Sequence, residues 1–399
     1  MRILMVSSFY PPFHVGGACT HVYYLANHLA RLGHYVDVVF SSDCYRLVRK
    51  RVNATRKAED YPNDPKVRTY DIAGLPGRVT PLFSYTVGHV PVRLKEILRR
   101  RYDLIHYHNI AMFSAKVFKY GDAPKIFTAH DHWLFCPLND RYRDGEPCPE
   151  QDGCTRCLIR HGRPPQLWRH FVSDMTGYLD AVITPSEYMK AFLLENGVDA
   201  PIHVIPNFVV PPPSWKRDPE GKGASTMHEG KGYFLYAGML ERFKGVMDVL
   251  RASQEIDEKF LIAGDGSIAG EVRRAEKELP NVKYLGWLGM SSLFRYYANA
   301  KALLVPSRCN ENFPSSILEA LSVGTPSIGT NRGGIPEILD SVDPELIMKG
   351  SLTEAIRSFK GGYDRGTLID VYRRRFTPDV YAQAYASLLQ SLPGTLRRT

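Results

Sequence analysis

The 399-residue sequence predicts an α/β protein made of two doubly wound, parallel-sheet domains facing each other across a cleft. Three observations predict it. Short apolar, β-branched runs recur along the chain without strict polar–apolar alternation, as strands covered on both faces do. Helical patterns separate these runs, most clearly over 18–32 and 187–195. A proline-led polar stretch beginning at Pro211 interrupts the cadence once, near the middle. At roughly 100–200 residues per domain the length suits two domains. A hydrophobic content of 44% lets each bury a core without needing disulfides or metals.

In the first half the strand-like runs are Arg2–Ser8, Val36–Ser42, Asp103–His108, Lys125–His130, Ala181–Ser186 and Ile202–Asn207. Each ends in small or polar residues, where a doubly wound sheet presents ligands at its strand C-termini. The cadence restarts with Tyr233–Gly238, Lys259–Gly264, Val282–Trp287, Ala302–Ser307 and Thr325–Thr330. The expected boundaries are a first domain over 1–208, a linker over 209–231 and a second domain over 232–399. A cleft between two such sheets suits two substrates that must meet away from water.

Composition narrows the function. Charged residues at 23% and aromatics at 11% exclude a largely disordered or fibrous chain. No apolar run approaches the roughly 18 residues of a membrane span, and the start, MRILMVSSFYPP, is too short for a secretory signal. A soluble, cytoplasmic protein is expected. About two-thirds of the excess of 51 Lys and Arg over 42 Asp and Glu lies in the first half, where two clusters stand out. One holds Arg46, Arg49, Lys50, Arg51, Arg56 and Lys57; the other holds Arg93, Lys95, Arg99, Arg100 and Arg101. Such clusters are solvated helix faces or attract anionic lipid or a phosphorylated substrate. No nucleic-acid-binding signature accompanies them, so no nucleic-acid partner is expected.

The chemistry concentrates in Ser307–Leu339. Glu311 and Glu319 stand eight apart, and Asn312-Phe313-Pro314-Ser315-Ser316 reads as a turn into a helix. Pro314 at or just before the helix start costs no hydrogen bond. The N–H groups of Ser315, Ser316 and Ile317, with the partial positive charge of the helix N-terminus, then form a diphosphate site. Glu319, about one turn in, can accept hydrogen bonds from a ribose diol. Glu311, in the loop, faces the sugar beyond the phosphates.

These residues, with Ala320, Gly324-Thr325-Pro326 and Gly333-Gly334-Ile335-Pro336-Glu337, resemble the family-4 glycosyltransferases, whose fold is GT-B, two Rossmann-like domains. Nearly the whole chain shares the resemblance. Gly16 and Gly17 resemble the glycine-rich loop of the first domain, where a backbone lacking Cβ lets a ligand approach. Thr128-Ala129-His130-Asp131 resembles the family's histidine after a central strand, and Ile205-Pro206-Asn207 the segment leading to the linker. Gly238 through Lys244-Gly245 resembles its phosphate-binding motif, and Gly264-Asp265-Gly266 the glycine turn of the next strand. The family's C-terminal helix returns to the first domain, a role for Tyr381–Leu389. Two departures are plain. Met239 stands where the phosphate motif has Arg, with Arg242 nearby in the same loop but not equivalent. Pro314 replaces the glycine that usually follows Phe313.

The resemblance implies a retaining transferase, independent of divalent metal, that moves a sugar from a nucleotide-diphosphate donor. Its catalytic residues would be His130, Lys244 and Glu311. Its donor site would hold Gly16, Gly17, Gly238, Arg242, Lys244, Asn312, Phe313, Ser315, Ser316, Ile317 and Glu319. The acceptor would be a saccharide, a lipid-linked or phosphorylated molecule or a small metabolite. With the basic clusters, this suggests peripheral contact with an anionic membrane. Rival readings are an epimerase or glycan phosphorylase on the same architecture, or a non-catalytic nucleotide-sugar sensor. His106 and His108 read as structural, alternation placing both on one face of their strand.

Separately, Cys136, Cys148, Cys154 and Cys157 cluster in a polar insertion over about 136–165. In a cytosolic chain this spacing reads as a structural zinc site, with an iron–sulfur site, unpaired thiols and disulfides as alternatives. Four cysteine ligands would leave no open position for catalysis.

Overall fold

The structure, a computed structural model, describes residues 1–48, 58–74, 77–143, 145–148, 154–212 and 232–392. Most of the expected linker, 213–231, and the basic residues Arg49, Lys50, Arg51, Arg56 and Lys57 lie outside the described residues.

The chain divides into two compact units. The first carries strands β1 (Arg2–Val6), β2 (Tyr35–Phe40), β3 (Val67–Asp71), β4 (Leu104–Tyr107) and β5 (Lys125–Thr128). After a short antiparallel hairpin, β6 (Tyr142–Arg143) and β7 (Glu146–Pro147), come β8 (Ala181–Thr184) and β9 (Ile202–Val204). Seven of these form one parallel sheet in the order β3-β2-β1-β4-β5-β8-β9. The central strands are buried along almost their whole length, which explains their unbroken apolar sequence. β3, VRTYD, was not expected from the sequence. It lies at the edge of the sheet, exposes its second and third residues, and so carries polar side chains.

The second unit holds β10 (Tyr233–Ala237), β11 (Phe260–Ala263), β12 (Val282–Gly286), β13 (Ala300–Val305), β14 (Ser327–Thr330) and β15 (Ile347–Met348). They form a parallel sheet in the order β12-β11-β10-β13-β14-β15. In both sheets the order reverses beside the first strand of the unit, creating the switch point where doubly wound folds take ligands.

The described residues from Tyr381 onward group with the first unit, where the returning C-terminal helix was expected. The boundary differs from the expected one at 141–148, inside the expected cysteine-rich insertion, which group with the second unit. Tyr142 of that hairpin meets the Phe243 ring at 6.0 Å, and Arg332 lies 3.9 Å from Glu146. No helix among the described residues is long and apolar enough to cross a membrane.

Candidate functional site

In the second unit the phosphate-motif loop follows β10. Gly238 leaves the strand, a short 3-10 turn spans Arg242–Lys244, and Gly245 takes a left-handed φ of 75° before the Val246–Glu255 helix. A Cβ on Gly245 would fall 1.8 Å from the Pro306 carbonyl oxygen, so glycine is required for both φ and space. This close approach brings the loop against the segment after β13. There Lys244 Nζ stands 2.5 Å from Glu311 Oε1. Ser307 Oγ donates to the same oxygen at 2.7 Å. Both side chains of the ion pair are mostly buried, at 20% and 14% exposure. Behind Glu311, Gly333 at φ 59° approaches the Glu311 carbonyl, and Gly334 N–H donates to it at 2.8 Å. Three glycine positions noted in the sequence thus serve one purpose, fixing the loop that carries Glu311.

Pro314 is the residue before the Ser315–Ser322 helix. Ser315 and Ser316 N–H groups begin the helix, where no carbonyl lies one turn back within it. Ile317 differs from expectation, because its N–H donates to the Pro314 carbonyl at 3.2 Å. Asn312, Phe313 and Ile317 are buried, and Phe313 packs its ring 6.0 Å from Phe376. These residues shape the turn from inside the core. Glu319 accepts from Tyr297 Oη at 2.9 Å. Burial pushes its carboxyl above the usual carboxylate range, against hydrogen bonds from Tyr297 and Ser315.

The Arg242 guanidinium pairs with both Glu271 oxygens, at 2.7 and 3.0 Å, while Met239 is half exposed. Lys244 is therefore the cation of this loop that meets Glu311.

In the first unit, Gly16 opens the Gly16–Arg31 helix at φ 74°, with Gly17 in its first turn. A Cβ on Gly16 would meet nothing within 4 Å, so backbone conformation rather than packing calls for glycine there. His130 follows β5 and is joined by residues that sequence reasoning treated as structural. His130 Nε2 and His108 Nδ1 share a hydrogen bond of 3.1 Å, their rings stacked. His106 lies 3.8 Å from His108, centroid to centroid, and bonds Thr128 Oγ1 at 2.7 Å and Tyr385 Oη at 3.0 Å. His21, from the Gly16–Arg31 helix, sets its ring 5.2 Å from His130 and 5.1 Å from Tyr381. Alternation along β4 did place His106 and His108 on one face. What it could not show is that β5 brings His130 onto the same face.

Burial lowers the pKa of all four imidazoles, His130 to about 4. They are neutral near pH 7, so His130 acts there as a hydrogen-bonding group and not as a cation. Next to it, Asp131 Oδ1 accepts from Trp133 N–H at 2.9 Å and Oδ2 from Asn139 at 3.2 Å. Burial pushes Asp131 up to about 6.

The expectation of a zinc site at Cys136, Cys148, Cys154 and Cys157 finds no support. Among the described residues no group of three or more His, Cys, Asp or Glu side chains is arranged to hold a metal ion. Cys148 groups with the second unit and the other three with the first.

Comparison with known proteins agrees with this architecture. The model described as Glycosyltransferase Family 4 matches residues 15–211, and that described as Glycosyl transferases group 1 matches 231–359. The glycogen synthase of Mycobacterium tuberculosis is 27% identical over 84% of this chain and 80% of its own. The O-antigen chain mannosyltransferase C of Escherichia coli is 22% identical over 98% and 100%. Among solved structures, sucrose-phosphate synthase from Thermosynechococcus elongatus has a TM-score of 0.69 at 19% identity, covering 98% of each chain. Anabaena HepE, solved in complex with UDP-glucose, has a TM-score of 0.68 at 16% identity, covering 98% of this chain and 100% of its own. The chain belongs to the family-4 glycosyltransferases, and its fold is GT-B.

Proposed function

We propose that this family-4 glycosyltransferase transfers a sugar, with retention of anomeric configuration and without a divalent metal, from a nucleotide-diphosphate sugar to a saccharide, lipid-linked or phosphorylated acceptor. The observation that carries the donor assignment is the mostly buried Lys244–Glu311 pair beside the start of the Ser315–Ser322 helix. A buried lysine held at that position suits a diphosphate leaving group. As the glycosidic bond breaks, negative charge grows on the β-phosphate oxygen, and Lys244 with the Ser315 and Ser316 N–H groups can stabilise it from fixed positions. Glu319 is one turn further in, suited to a ribose diol, and Glu311 serves the sugar side. The structures of HepE with UDP and with UDP-glucose lend further support.

In this reading the acceptor hydroxyl attacks from the face the leaving group departs, and the departing phosphate oxygen takes the acceptor's proton. His130, neutral near pH 7, orients a hydroxyl of the donor sugar or the acceptor by hydrogen bonding. The cationic residues Arg93, Lys95, Arg99, Arg100 and Arg101 favour peripheral contact with the anionic inner face of a membrane, a contact that flotation with anionic vesicles at low and high salt measures.

The deciding experiment is calorimetric titration with UDP, GDP, ADP and dTDP of the wild-type protein and the Glu319→Ala variant. One nucleotide is expected to bind saturably and more weakly to the variant. Absence of binding by all four at millimolar concentration would overturn the donor assignment.

A further inference from the structure

Within the first unit, a cavity of about 330 Å³ opens at the C-terminal ends of β2 and β3, and His130 is not among the residues that line it. Ser41 follows β2, Ile72 follows β3, and the Val79–Val87 helix supplies Thr80, Pro81 and Ser84. This is the edge of a doubly wound sheet from which ligands are approached. The volume is at the small end for a ligand pocket, sufficient for a head group.

Its charge is one-sided. Asp43 is the acidic residue in the lining, and both its oxygens are occupied: Oδ1 by Arg46 at 2.9 Å, Oδ2 by Gly74 N–H at 3.0 Å. Arg93 and His89 also line the cavity. Arg93 is exposed and forms no ion pair among the described residues. Hydroxyls of Ser41 and Thr80 complete a lining suited to an anionic oxygen cluster.

The adjoining surface is apolar, and the helix that forms it is inverted. Ser84 is fully buried and donates to the Thr80 carbonyl, while Val79, Leu82 and Phe83 stand 56%, 42% and 53% exposed. Val92, beside Arg93, is 63% exposed. Positions 79, 82 and 83 share one helix face, so these side chains form a patch rather than scattered surface residues. Phe83 meets the His89 ring at 5.9 Å, joining the apolar patch to the polar cavity.

A cationic, hydroxyl-lined cavity continuous with an exposed apolar face fits one kind of ligand, a phosphate ester on a long apolar chain. We infer that this cavity holds the phosphate of a lipid-phosphate-bearing acceptor, with Arg93 on the phosphate and Leu82 and Phe83 along the chain. The inference rests on the transferase reading above and narrows its acceptor class.

The test titrates farnesyl phosphate, farnesol and inorganic phosphate into the wild-type protein and the Arg93→Glu and Phe83→Ser variants, with nucleotide binding measured in each. Both substituted side chains are exposed, so folding is expected to survive. The expected result is saturable farnesyl phosphate binding at least tenfold tighter than either farnesol or phosphate. Arg93→Glu should weaken it tenfold or more and Phe83→Ser severalfold, with nucleotide affinity unchanged in both. Wild-type protein that binds nucleotide but not farnesyl phosphate would overturn the inference. So would equal affinity in all three proteins, or adsorption to anionic vesicles without binding of the single lipid. Farnesyl phosphate binding without nucleotide binding would uphold the cavity and overturn the donor assignment instead.

Discussion

His108 Nδ1 lies 3.1 Å from His130 Nε2, so the histidine the sequence marks as functional is held by one that the sequence marks as structural. His108 is itself buried, its ring centroid 3.8 Å from that of His106, which leaves His130 little freedom to turn. A ring positioned in this way presents one nitrogen for chemistry and spends the other on its support.

That relationship predicts a division between turnover and binding. His108→Ala should lower kcat by about 10- to 100-fold, the typical cost of losing the support of a functional histidine, and leave nucleotide affinity within about twofold. His108→Asn, which keeps a polar group near the Nδ1 position, should recover part of the loss. Steady-state kinetics paired with nucleotide titration checks this. Equal loss in both variants would indicate that only packing matters.

The donor loop separates in the same manner. Lys244→Ala should reduce turnover by roughly 10²–10³-fold, as removal of a preorganised electrostatic donor does. Glu319→Ala should chiefly weaken nucleotide binding, by about tenfold, since it removes hydrogen bonds from a charged acceptor. Arg242→Ala should do neither to a comparable degree, because the Arg242 guanidinium is committed to Glu271. Negligible effects of both Lys244→Ala and Glu319→Ala would sink this assignment of roles.

Acid should destabilise the first unit. His130 has a folded-state pKa of about 4 against about 6.5 unfolded, so the unfolded chain binds more protons between these values. The stability from a neutral His130 is complete above pH 6.5 and lost as pH falls towards 4, about 3 kcal/mol for this residue. His21, His106 and His108 shift in the same direction. Asp131, raised to about 6, opposes them, because the folded state takes up its proton first as pH falls. Denaturant melts at pH 7, 6 and 5 should show falling stability, and Asp131→Asn should make the fall steeper.

Gly264→Ala should cost at least about 3 kcal/mol. Gly264 has φ 143°, and its Cβ would lie 1.8 Å from the Gly238 carbonyl oxygen. Relieving that clash requires moving the strand end that begins the Gly238–Gly245 loop, so nucleotide binding should weaken together with the melting temperature. By contrast Gly16→Ala meets no atom and should carry only the strain of its left-handed backbone.

The sequence by itself determined the α/β class, the two-unit division and most of the strands. Buried parallel strands such as Ala181–Thr184 are unbroken apolar runs, and the turns between them carry glycines whose backbone requirement is local. It also determined the neighbourhood of Glu311, because the two glutamates, Pro314 and Ser315 lie within a few residues of one another. Edge strands β3 and β15 were not legible, since an edge strand is half solvated or only two residues long and lacks that signal. Tertiary structure decided which distant residues meet. Lys244 reaches Glu311 because β10 and β13 are neighbours in the sheet. His106, His108 and His130 gather because β4 and β5 are. It also decided which cation is engaged elsewhere, pairing Arg242 with Glu271 on a helix that no spacing within the phosphate loop reveals. Local backbone chemistry is written in consecutive residues, whereas the pairing of side chains depends on strand order, which consecutive residues do not encode.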